Sequence, residues 1–204
     1  MPEVSNKVWN NRRKWLGNLL PALFFLPFAS YGVYWMYRNS TIFGVGMWFI
    51  VAAVVAGWLA LNAFGLVANA FMRRQLEREF KAKGVDFSTP HFFVGFARPK
   101  FFSMLDAHED LGFLFLRDNE LAFVGESHQL ALQRSQIRQI RFRPNVHTWV
   151  GLGRWISVDG VVKEARIRLN IEPRERNFLL LNLLDSKRVR RALESWLKSA
   201  RAKV

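Results

Sequence analysis

No cysteine occurs anywhere in the 204 residues, so disulfides, thiol nucleophiles and thiolate metal sites are excluded. Carboxylates are almost missing from the first third. Glu3 is the one acid among the first 72 residues, against five bases, whereas the other 132 residues hold 15 acids and 25 bases. The net charge of +14 thus divides into +4 and +10, a balance that favours anionic partners. Catalytic signatures are lacking too. There is no GxSxG, Walker, Rossmann or kinase-type glycine pattern, and Gly151-Leu152-Gly153 lacks a third glycine. The histidines (His91, His108, His128, His147) are too scattered for an HExxH site. The expectation is a protein that is not an enzyme and uses no cofactor or catalytic metal.

What is present is apolar length. No charge falls between Lys14 and Arg38, and residues 19–37 read LLPALFFLPFASYGVYWMY, about the length needed to cross roughly 30 Å of hydrocarbon. Pro21 and Pro27 are tolerated in a membrane helix. Trp15, Tyr34, Trp35 and Tyr37 lie toward its ends, where amphipathic rings favour the interface. A second uncharged run, with its apolar core at about 46–70, carries Ala52, Ala53, Ala56, Gly57, Ala60 and Ala63 at spacings that let another helix approach closely. Asn62 and Asn69 are expected to hydrogen-bond across that interface. Cleavage of the first span as a signal peptide would put Pro27 or Phe28 at position −3, which argues for an uncleaved helix.

The flanks set the orientation. Lys7, Arg12, Arg13 and Lys14 precede the hairpin and Arg73, Arg74, Arg78, Lys81 and Lys83 follow it, while Arg38 alone lies between the helices. Positive flanks remain cytoplasmic. An inner-membrane hairpin with both termini inside is expected over residues 1–72, followed by a charged helical linker over 73–86, in which Glu77 faces Lys81 and Gly84 stops the turn.

Residues 87–204 read as a soluble α+β domain. A phenylalanine-rich stretch with Pro90 and Pro99 is read as loop or extended chain. From Leu111 the period becomes two, with Asp118-Asn119 as a hairpin turn, and Ile140 and Phe142 alternate with Arg141 and Arg143. Asp159-Gly160 is read as a second turn leading into Ile167, Leu169 and Ile171, which alternate with Arg166 and Arg168. Asp185 or Ser186 is expected to cap a last helix with Val189, Leu193, Trp196 and Leu197 on one face and Trp196 in the core.

Gly112-Phe113-Leu114-Phe115-Leu116, then Glu120-Leu121-Ala122-Phe123-Val124-Gly125, then Leu132 with Ile137 and Ile140, resemble the strand pattern of GRAM and bacterial PH-like domains. Arg117 stands where that pattern usually has threonine. The resemblance spans roughly residues 92–200. It implies an antiparallel PH-like β-sandwich or barrel closed by a C-terminal helix, acting in binding or scaffolding.

The candidate site is basic. If their strands neighbour one another, Arg141, Arg143, Arg166 and Arg168 project from one outer face and can grip phosphate or carboxylate, with Arg73 and Arg74 assisting. A solvated face is the plain alternative. Asp106-Ala107-His108-Glu109-Asp110 is the one dense polar cluster, read as a solvated loop rather than a cation site. No recognition helix, zinc knuckle or RNP-type strand suggests nucleic acid. The expected function is a membrane-anchored adaptor whose basic domain binds anionic lipid headgroups or a membrane protein partner. The alternative is a small accessory subunit of a larger transporter or envelope machine. An oligomeric assembly is compatible with either.

Overall fold

The structure, a computed structural model, describes residues 7–66, 68–99 and 108–199. The chain divides into two compact units. One comprises residues 10–67 with 177–179, and the other comprises residues 1–9, 68–176 and 180–204.

The first unit is a helical hairpin of α1 (Asn11–Arg38) and α2 (Val45–Phe64), both long and apolar enough to cross a membrane. Asn10 caps α1 by accepting from Arg13 N at 3.1 Å, and the helix runs through Pro21 and Pro27. Small residues let the helices meet. A Cβ on Gly46 would lie 2.8 Å from Gly32 O, and one on Gly57 would lie 3.2 Å from the Phe25 Cβ. Ala53 and Ala60 are buried on the same side of α2, and Tyr31 meets Phe49 edge to face at 4.6 Å. Leu19, Leu23, Val51, Val54 and Leu59 are exposed, as lipid-facing positions would be.

The apolar run expected to continue to residue 70 does not do so as one helix. Gly65 ends α2, and Ala68 adopts a left-handed φ of 61° before α3 (Asn69–Ala82) begins. Asn69, expected in the helix interface, is instead buried in the other unit. Its side chain donates to Arg174 O and to Arg176 O (3.0 Å), and its Oδ1 accepts from Arg174 Nε at 3.0 Å.

The second unit is built on one seven-stranded antiparallel sheet in the order β4-β3-β2-β1-β7-β6-β5. Its strands are β1 (His91–Ala97), β2 (Asp110–Leu116), β3 (Glu120–Gly125), β4 (Gln129–Gln133), β5 (Ile137–Arg143), β6 (Trp155–Val162) and β7 (Ala165–Pro173). A short helix, α4 (Val146–Trp149), follows β5, and α5 (Leu179–Ser199) ends the fold. The edge strands β4 and β5 do not pair, so the sheet is open by hydrogen bonding. Flat, seven strands would separate those edges by about 29 Å. Only the turn Arg134–Gln136 joins them, a span of at most about 14 Å. The sheet must therefore curl. A Cβ on Gly160 in β6 would indeed sit 3.7 Å from a Leu132 methyl in β4.

The curled inner face holds Phe96, Leu114, Phe123, Ile140, Ile156 and Ile171, closed by Val189 and Leu193 of α5. The opposite face of β1 to β3 presents Phe93, Leu111, Phe113 and Phe115 to Met72, Leu76 and Phe80 of α3. The stretch read as a charged linker is thus helical and also carries a buried apolar stripe at i, i+4, i+8. Covered on both faces, β1 and β2 have no reason to alternate. This is why His91–Ala97 reads as a phenylalanine-rich loop although it lies in the middle of the sheet.

Three further expectations change. The strand β6 runs straight through Asp159-Gly160, and the turn is Lys163-Glu164, both left-handed (φ 46° and 68°), between the paired Val162 and Ala165. α5 is one helix from Leu179, with Ser186 Oγ bonded back to Asn182 O rather than capping a new start. Trp196 is half-buried at the rim, where its Nε1 donates to Arg117 O at 2.7 Å and the Arg134 guanidinium lies 4.2 Å above its ring.

Candidate functional site

The outer face of β5, β6 and β7 carries a groove of about 430 Å³, and its lining includes Arg138, Arg141, Asp159, Arg166 and Arg168. Alternation delivers Arg141 from β5 and Arg166 and Arg168 from β7. The strands are not neighbours, because β6 lies between them. What joins the arginines is the β6 residue Asp159. Arg168 Nε donates to its Oδ1 at 2.6 Å and Arg141 Nε to its Oδ2 at 2.9 Å, while Arg143 Nη2 stands 3.7 Å away at the margin.

Arg138 reaches the same face through a bulge. Ile137 pairs with Gly160 and Gln139 with Asp159, so Arg138 is the extra residue on its strand. A bulge re-aims a side chain that strict alternation would turn inward. Sequence reasoning missed both groups. The bulge has no signature in IRQIRFR, and Asp159 looked like a turn residue.

One carboxylate among four arginines leaves the groove with a formal charge of +3. Because Arg141 and Arg168 use Nε on Asp159, the paired Nη sides of these guanidiniums are oriented without being consumed. That arrangement suits a phosphate or carboxylate held bidentately. Arg73 and Arg74 do not line the groove. Arg73 pairs with Glu175, whose Oε1 accepts Phe93 N at 2.8 Å, and Arg74 is exposed on α3.

A second polar cluster is buried. Glu172 Oε2 receives His147 Nδ1 and Asn145 Nδ2, both at 3.0 Å, and lies 3.1 Å from His108 Nε2. Burial pushes the Glu172 carboxyl up, but the His147 charge and the bonds from both histidines together hold it well below the usual carboxylate range. Burial lowers His108 to about 4, with the Glu172 bond offsetting only part of that. Arg174 is lowered by burial to about 9; its guanidinium stacks 4.6 Å from the Trp9 ring, and Nη1 and Nη2 have no hydrogen-bond partner among the described residues. Gly95 and Gly153 make room, since a Cβ at either would collide with His108 or with Glu172. A carboxylate engaged by three side chains and shut from solvent is a poor general base. This cluster fixes the fold.

The acidic stretch before β2 divides. Asp106 and Ala107 lie outside the described residues, Glu109 pairs with Arg98 at 3.0 Å, and buried Asp110 accepts from Ser127 N (2.9 Å) and His128 N (2.8 Å). Among the described residues no group of three or more His, Asp or Glu side chains is arranged to hold a metal ion. Comparison with known families finds no family model that matches the chain, and comparison with curated proteins finds no matching relative.

Proposed function

We propose that the chain is a two-pass membrane adaptor with a cytoplasmic, PH-like domain, and that the arginine groove of this domain binds anionic lipid headgroups. The observation that carries the reading is a groove large enough for a headgroup, lined by Arg138, Arg141, Arg166 and Arg168, in which Asp159 holds Arg141 and Arg168. Each base near an anionic leaflet contributes about 1 kcal/mol within a Debye length, so tethering matters as much as number. The hairpin tethers the domain to the bilayer and so raises the effective lipid concentration.

Support for the PH-like assignment is the order of elements: a four-strand meander, a three-strand meander and one closing helix. Fold likeness does not supply the ligand, and the reading of an anionic headgroup rests on the charge of the groove. Support for placing both termini inside is twofold. Nine flanking bases oppose one in the turn between helices. The segment before α1 is also tied to the sheet unit, with Trp9 N donating to Glu126 Oε2 at 2.9 Å, Val8 N donating to Oε1, and Trp9 Nε1 donating to His108 O at 3.0 Å. A chain that leaves that unit at Trp9 and rejoins it at Ala68 crosses an even number of times.

The test uses the full chain in detergent micelles doped with phosphatidylglycerol or phosphatidylcholine, with retained lipids counted by native mass spectrometry. Wild type should retain more phosphatidylglycerol, and the Arg138→Gln, Arg141→Gln, Arg166→Gln, Arg168→Gln variant should lose that excess. An excess that persists in the variant would show that the groove is only solvated.

A further inference from the structure

We propose that Asp159 makes the arginine groove selective for phosphate monoesters over phosphate diesters, by holding two guanidiniums close enough to share one phosphate group. The proposal rests on the reading that the groove binds anionic headgroups. It adds which class of headgroup is taken and which residue decides it.

Arg141 lies on β5 and Arg168 on β7, with β6 between them. Backbones two strands apart are separated by about 9.6 Å. Four like charges in one groove also repel one another, so the arginines by themselves would spread. Asp159 draws two of them together. It stands on the intervening strand, paired with Gln139 of β5 and Arg168 of β7. Each of its oxygens takes one guanidinium, Oδ1 accepting from Arg168 Nε at 2.6 Å and Oδ2 from Arg141 Nε at 2.9 Å. The carboxylate is 20% exposed and the Arg141 and Arg168 side chains 42% and 35%, so the clamp lies deeper than the arginines it holds.

An arginine fork grips an anion through two parallel hydrogen bonds and so needs two oxygens. A phosphodiester headgroup has two free oxygens and one charge, enough for a single fork. A phosphomonoester has three free oxygens and, with a second pKa of about 6, close to two charges at pH 7.5. Two forks held side by side can therefore share one monoester. Charge and geometry both favour it in the wild-type groove, and Asp159 separates the two. Asp159→Asn takes the groove from a formal +3 to +4, which by charge alone favours the dianion still further. The same change turns an NH2 group toward one of the two Nε donors and breaks the clamp. Re-ordering the freed arginine side chains weakens binding by about tenfold, and the second fork that is lost is the one only a monoester uses.

Native mass spectrometry of the full chain at pH 7.5, in detergent micelles doped with equal amounts of phosphatidic acid and phosphatidylglycerol, reads the monoester-to-diester ratio directly. Wild type should retain phosphatidic acid several-fold over phosphatidylglycerol, and Asp159→Asn should lower that ratio toward one. A wild-type ratio of one overturns the proposal without any variant. A ratio in Asp159→Asn equal to or above wild type overturns it too, because charge alone gives that result. Partial loss of folded protein lowers both lipids alike and leaves the ratio readable. Glycerol 3-phosphate, the same ester without acyl chains, identifies the source: its retention by wild type and loss in Asp159→Asn supports a free monoester, whereas retention of phosphatidic acid alone supports a lipid. If the proposal alone fails, the excess of phosphatidylglycerol over phosphatidylcholine still disappears in the four-arginine variant. An excess that survives there overturns the headgroup reading and this proposal together.

Discussion

Acidification should unfold the sheet unit through His108, and the size of the effect follows from its surroundings. The imidazole is buried among Glu172, His147, Arg174, Trp9 and Trp155, and burial lowers its pKa from 6.5 to about 4. The folded state therefore binds this proton less readily than the unfolded state does. Stability is fully present above pH 6.5 and declines as the pH falls toward 4, by about 3 kcal/mol if the whole shift is expressed. Glu172 adds to the loss at lower pH, because its folded pKa lies below the ordinary 4.5 and its contribution fades as the pH falls through that range. Urea unfolding of the full chain in detergent, at steps from pH 7.5 to 4, measures this directly. Tryptophan emission is a local reporter, since the Trp155 and Trp9 rings lie 5.7 and 6.4 Å from the His108 ring. His108→Gln removes the titrating group, so its stability should be nearly flat between pH 6.5 and 5 while wild type declines. Parallel pH profiles for the two proteins would refute the assignment.

Replacing Arg174 by Met keeps much of the volume and removes a buried charge whose Nη atoms lack partners among the described residues, so the change should stay within about 1.5 kcal/mol, whereas Arg174→Ala should cost about 3 to 5 kcal/mol in the same urea titration. Trp196→Ala should cost about 2 kcal/mol rather than the larger loss expected for a fully buried indole, because the ring is half-buried and gives up one hydrogen bond to Arg117 O. Gly32→Val should lower the thermal stability of the hairpin by about 1 to 3 kcal/mol, because its Cβ would lie 2.9 Å from Gly46 O; an unchanged melting profile in detergent would count against the close crossing.

Legibility in the sequence followed the number of exposed faces an element has. The helices α1 and α2 stood out because so long an uncharged run is rare outside membrane spans. The first half of β7 and the Asp118-Asn119 turn were readable because they meet solvent, and β3 was readable from Leu121 and Phe123 although Ala122 and Val124 on its other face pack in the cluster with α3. The strand β1 was not, since α3 and the curled inner core cover it from both sides and its alternation vanishes. The helix α3 hid Met72, Leu76 and Phe80 among eight charged or polar neighbours, which give the segment the look of a linker. In the candidate site, Arg141, Arg166 and Arg168 followed from period two. Arg138 did not, because a bulge is a property of pairing rather than of one strand, and Asp159 was obscured by the glycine after it. The left-handed Lys163-Glu164 turn, which pushes Asp159 into mid-strand, uses residues that seldom signal such a turn.

The central claim is a two-pass anchor with the sheet unit on the cytoplasmic side, and a pair of single cysteines tests it most directly. Ser40→Cys lies in the turn between α1 and α2, and Glu164→Cys lies in the exposed β6–β7 turn. With an impermeant maleimide applied to intact cells, Ser40→Cys should label at once and Glu164→Cys only after permeabilisation. Labelling of Glu164→Cys in intact cells, or failure of Ser40→Cys to label until the cells are opened, would contradict the two-pass topology.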